Sequence, residues 1–167
     1  PRLEPSATAA GDDLNSTPSS HNWLEIFADS AFTAQRDERG IFMIASGDNR
    51  VAINSHDGAV ISHLTGNAVH NIPGQGGLFR DLFWSPAAAR WSTDTTGKYD
   101  LADIAVDADG ALRVTFQRAL SAPELRGLKL TKTYVLPPLL TRVDAEITIT
   151  NQSDTECSFR YWSWHRL

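Results

Sequence analysis

Cysteine is almost missing from this chain of 167 residues. Cys157 stands alone, so no internal disulfide can form, and there are too few thiolates for a structural zinc site. It reads as a small apolar residue buried on a strand. The longest apolar runs fall far short of the roughly 20 residues that a membrane-spanning helix needs, so no membrane partner is expected. Basic residues are outnumbered, 15 Lys and Arg against 20 Asp and Glu, for a net charge of −5. They do not cluster, and phosphate binding needs a basic face, which disfavours a nucleic-acid partner. The start of the chain lacks the basic segment and apolar centre of a signal peptide.

Several chemical signatures are missing as well. Gly74-Gln75-Gly76-Gly77 is no dinucleotide fingerprint, because Phe79 takes the place of the third glycine and no helix follows to cap a pyrophosphate. Asp107-Ala108-Asp109-Gly110 resembles the start of a calcium loop, but Ala111 and Arg118 occupy ligand positions, so it reads as a turn. Gly-x-Ser-x-Gly and His-Glu-x-x-His do not occur. Neither a cofactor nor a metal is expected.

What is present is a strand-and-turn rhythm. Residues 1–22 are rich in Ser, Thr, Ala, Pro, Gly and Asp and read as a flexible leader or linker. Such a polar leader fits a mature secreted or periplasmic protein, without establishing export. From Trp23 onward, over 23–167, apolar residues recur with period two or in short β-branched and aromatic runs, broken by Gly, Asn and Asp every eight to twelve residues. The pattern predicts strands near Trp23–Phe27, Phe32–Arg36, Phe42–Ser46, Arg50–Asn54, Ala59–Leu64, Leu101–Val106, Leu112–Arg118, Lys129–Leu136, Thr141–Thr150 and Glu156–Trp164. Asp109-Gly110 supplies a tight reversal between two of them. Val143, Ala145, Ile147 and Ile149 alternate with polar residues, the mark of a sheet with one wet face. The predicted fold is therefore all-β, a twisted antiparallel β-sandwich. Residues 67–100 break the rhythm with Pro73, Gly74, Gly76, Gly77 and Pro86, and long irregular connections inside a compact domain are usually functional.

The residues in and after that segment suit sugar recognition. Aromatic rings offer flat apolar surfaces to the C–H faces of a pyranose, and Arg, Asp and His fix hydroxyls. Trp84, Trp91, Tyr161, Trp162 and Trp164 are close in sequence to His70, Arg80, Asp81, His165 and Arg166. Alternation places Tyr161, Ser163 and His165 on one face of the last strand, with Trp162 and Trp164 on the other. Each residue also has a structural reading: aromatic strands are commonly core, and Arg80-Asp81 can be a salt bridge that orders the Gly-rich segment.

The order of features from about Arg50 to Leu167 resembles the galactose mutarotase-like superfamily, the large β-sandwich of aldose 1-epimerases that recurs beside glycoside hydrolases and lyases. The likeness is carried by Val51-Ala52-Ile53-Asn54-Ser55-His56-Asp57-Gly58-Ala59-Val60-Ile61-Ser62-His63-Leu64, then the Gly-rich segment with His70 and Arg80, then Lys129–Leu136. Leu140–Ser153, a strand with an Asn-x-Ser turn, leads on toward His165. The resemblance implies a supersandwich-like fold with a sugar cleft. His70 and His165 would take the place of the catalytic histidines, one a general acid at the ring oxygen. Arg80, Asp81, Trp84, Trp91 and Arg166 would bind the substrate. The family's catalytic glutamate has no counterpart up to Leu167, so the expectation is part of a larger sandwich, or a domain that binds carbohydrate without catalysing. The alternative is a non-catalytic interaction domain, a homo-oligomer or one completed by a partner chain, whose strand Tyr161–Trp164 pairs outside itself.

Overall fold

A computed structural model describes residues 29–66, 77–92 and 96–164. Within them the strands are β1 (Thr33–Arg36), β2 (Ile41–Ser46), β3 (Asn49–Asn54), β4 (Val60–Thr65), β5 (Arg80–Ser85) and β6 (Arg90–Trp91). They continue as β7 (Asp100–Val106), β8 (Leu112–Ala119), β9 (Leu128–Leu136), β10 (Asp144–Asn151) and β11 (Arg160–Trp164). Among the described residues the one helical element is a single 3-10 turn, Pro123–Leu125. All pairings are antiparallel and build three sheets, ordered β1-β2-β3-β4, β10-β9-β8-β7 and β11-β5-β6. The predicted all-β sandwich class is the architecture found.

Alternation explains most of it. Phe42 and Ile44 of β2 face inward, as do Leu112, Val114 and Phe116 of β8, while their neighbours are partly exposed. The first two sheets lock where Phe42 meets Phe116 edge-on, ring centroids 5.1 Å apart. The same core takes in Phe83 of the third sheet. The β7–β8 reversal forms as its sequence dictates: Gly110 adopts φ +81° and Asp107 accepts from its N–H at 2.9 Å. On β10, Ala145, Ile147 and Ile149 are half-buried and their neighbours exposed.

The expected strand Trp23–Phe27 lies outside the described residues, as does the leader 1–22. Two predicted strands begin later than their sequence pattern, at Asp144 and at Arg160. The larger correction concerns residues 67–100, expected to be irregular. They contain β5, the middle strand of the third sheet, and β6 at its edge. An isolated antiparallel bridge, Leu78 to Ile61, joins the approach to β5 to β4 of the first sheet.

Candidate functional site

β5 has two faces with different tasks. Asp81, Phe83 and Ser85 point inward and are buried, whereas Arg80, Leu82 and Trp84 occupy the opposite face. Arg80 and Asp81 therefore cannot pair with each other, contrary to the salt bridge that their adjacency invites.

Asp81 is 1% exposed and sits in the core rather than on a cleft wall, where the sequence places it. Its Oδ1 accepts from the Tyr161 hydroxyl at 2.8 Å, and its Oδ2 from the Tyr99 hydroxyl at 2.9 Å and from Lys132 Nζ at 2.8 Å. Lys132, on β9, is 0% exposed. Its ammonium also donates to the carbonyls of Gly58 at 2.7 Å and Phe79 at 2.6 Å, so all three N–H groups have an acceptor. Those carbonyls belong to residues in left-handed backbone, φ +73° at Gly58 and +62° at Phe79. Ala59 between the strands has φ +46°, and its carbonyl accepts from the Tyr134 hydroxyl. Burial pushes the Lys132 ammonium down, and the neighbouring Asp81 charge opposes that. Burial, reinforced by Asp81, pushes the Tyr99 and Tyr161 phenols well up, and burial does the same to Tyr134. This is a closed, satisfied polar network, with no room for substrate.

Arg80 is 8% exposed. Its Nη1 and Nη2 donate to Asp57 Oδ1 and Oδ2 at 3.0 and 2.7 Å, a bidentate pair that ties β5 to the β3–β4 turn. The hydrogen bonds from Arg80 hold the Asp57 carboxyl below its usual range.

The outer face of the third sheet is aromatic. Trp84 pairs with Trp91 across the strands, ring centroids 5.5 Å apart and 74° between planes, and Trp91 meets Trp162 at 5.1 Å and 58°. Trp162 lies opposite Leu82, Trp164 opposite Arg80, and Arg160 opposite Trp84. Trp91, Trp162 and Trp164 remain 48%, 44% and 43% exposed. Of the residues expected to form a sugar site, Trp84 and Trp91 are thus brought together, with Arg80 at the end of the same face. His70, His165 and Arg166 lie outside the described residues. Trp162 and Trp164, which the sequence names among the rings suited to a sugar and places on one face of the last strand without assigning them to the substrate, join the face. So does Arg160, whose place follows from the same alternation along β11.

No group of three or more His, Cys, Asp or Glu among the described residues could hold a metal ion. A separate groove of about 490 Å³ lies between the β2–β3 turn, the end of β4 and the β9–β10 connection. Asn49 Nδ2 bridges it by donating to the Leu139 carbonyl at 2.7 Å, and it holds none of the residues above. Compared with protein-family models and with curated proteins, the chain matches none.

Proposed function

We propose that this is a carbohydrate-binding domain of the mutarotase-like sandwich type, with the sugar held against the aromatic outer face of β5, β6 and β11. The observation that carries the reading is the cluster on one sheet face of exposed Trp91, Trp162 and Trp164 with half-buried Trp84 beside them. Large exposed apolar patches mark interaction surfaces, and tryptophan rings set at angles to one another offer several facets for the C–H faces of successive pyranose units. The reading is one of binding rather than turnover. Asp81 is enclosed, and both terminal nitrogens of Arg80 are engaged by Asp57.

Trp91→Ala and Trp162→Ala, titrated calorimetrically with oligosaccharides chosen from a glycan array, are expected to lose about tenfold in affinity each, ~1.4 kcal/mol. Their melting temperatures should move by only a few degrees, because these rings stand on the surface. Unchanged affinity in both variants would sink the proposal. A second reading, a protein-interaction face, draws on the same exposed tryptophans and on β6, whose two residues leave the edge of β5 thinly covered. A dimer in size-exclusion chromatography that Trp162→Ala dissolves would favour it.

A further inference from the structure

We infer that the ligand of the tryptophan face is an acidic glycan, one whose pyranose rings carry anionic oxygens. The inference rests on reading that face as a carbohydrate surface and adds the class of sugar. Its basis is the donor and acceptor inventory. The side chains β5, β6 and β11 turn outward are Arg80, Leu82, Trp84, Trp91, Arg160, Trp162 and Trp164, as the register dictates. Indole offers one N–H donor and no acceptor, and guanidinium offers five donors and no acceptor. Among the described residues, the polar side chains that these three strands turn outward thus only donate. The Arg80 fork is already taken by Asp57 of the β3–β4 turn, which leaves the indoles and Arg160 as the donors open to a ligand. The one carboxylate on these strands, Asp81, points into the core.

A neutral sugar presents hydroxyls, each of which is a donor as well as an acceptor, so its O–H donors would find no open side-chain acceptor here. A carboxylate or sulfate on the ring presents acceptors alone and matches the face. Arg160 is the group placed to meet it. It is exposed, lies directly opposite Trp84, and has no ion-pair partner among the described residues. A ring stacked on Trp84 or Trp162 would put its charged substituent within reach of the guanidinium fork, which fits carboxylate geometry bidentately. The chain's net charge of −5 opposes an anion only at long range. At physiological salt that field is screened over about 8 Å, so the local charge decides.

The test is calorimetric titration of the chain with three oligosaccharides of equal length: an oligogalacturonate, a sulfated oligosaccharide and a neutral galacto-oligosaccharide. The expected result is at least tenfold tighter binding of one of the acidic ligands than of the neutral one, and which acid wins identifies the carboxylate or the sulfate as the group read. Arg160→Gln should remove that preference, bringing acidic binding down to within about twofold of neutral binding, while leaving the melting temperature unchanged, and Arg160→Lys should restore part of it. Neutral binding as tight as acidic, or an acidic preference that survives Arg160→Gln, overturns the inference, while the sugar-binding reading stands if Trp162→Ala still weakens both. Failure of all three ligands to bind overturns both.

Discussion

Enclosing Lys132 with Asp81 takes two charges out of water, and such a pair is tolerated only when the remaining lone pairs and protons are also served. Here they are, by two tyrosine hydroxyls on one side and two main-chain carbonyls on the other. Removing one member leaves the other uncompensated. Asp81→Ala is therefore expected to lose about 3–5 kcal/mol in urea denaturation. The double change Asp81→Leu with Lys132→Met should be more stable than Asp81→Ala, because it leaves neither charge stranded. If Asp81 instead served a ligand from the surface, its single variant would keep its stability. The tyrosines give the alkaline limit. The chain has three, and all three are held above their usual range. In the unfolded chain they ionise near pH 10 while the folded phenols stay protonated, so the folded state is stabilised below that pH and loses stability as pH rises. Lys132 has the opposite sign, since its folded ammonium is pushed down, but its contribution ends above about pH 10.5, where the unfolded lysine is neutral too. Beyond that pH the stability should fall by up to about 4 kcal/mol per pH unit, three groups at about 1.4 each. Phenolate absorbance should then rise only together with unfolding, and a gradual rise in the folded protein near pH 10 would contradict this.

At the level of elements, the decisive one is β5, whose approach is fixed by glycine. Gly77 has φ +69°, and a Cβ there would stand 2.6 Å from Val60 Cγ2 and 2.9 Å from the Ile61 carbonyl, beside the bridge that leads into β5. Gly47 also has positive φ, +59°, but a Cβ would meet nothing within 4 Å. Gly47→Ala should thus cost only the left-handed backbone, about 1–2 kcal/mol. Gly77→Ala should cost about 3 kcal/mol, since overpacking is added. Equal losses in thermal denaturation would mean that the strand entry yields freely. The same element shows what a sequence hides. β7, β8 and β10 were legible because each buries apolar side chains on one face and wets the other. β5 was not, because it buries Asp81 inward and keeps Leu82 and Trp84 half-buried outward, so its polarity does not alternate in the usual sense. The clue to it lay on another strand: Lys132 stands in the apolar phase of Leu130, Tyr134 and Leu136, and a lysine in that phase needs a buried partner. Adjacency misled at Arg80 and Asp81, since consecutive residues on a strand face opposite ways. The tryptophan face was half legible. Trp84 and Trp91 come from one segment, but that Trp162 and Trp164 join them depends on β11 pairing with β5 across some eighty residues, as the Asp81 to Tyr161 bond does.

Across the whole molecule, the Lys132 ammonium is where the three sheets meet. It belongs to β9 of the second sheet, donates to Gly58 in the turn after β3 of the first, and pairs with Asp81 of β5 in the third. Sheets tied at one such point should unfold together. The tryptophans make that visible, because four of the five, Trp84, Trp91, Trp162 and Trp164, stand on the third sheet. Far-UV circular dichroism instead reports the strands of all three. In the native chain the two signals should give one coincident urea transition, as two-state unfolding requires. Lys132→Met removes the tie but keeps an apolar side chain of similar length, so the third sheet retains Phe83 in the core and loses its polar anchor. In that variant the tryptophan transition is expected at lower urea than the circular dichroism transition, because the sheet that loses its anchor opens first. Should the two transitions remain superimposed in Lys132→Met, the apolar contacts of Phe83 hold the third sheet in place and the ammonium is not what joins the sheets.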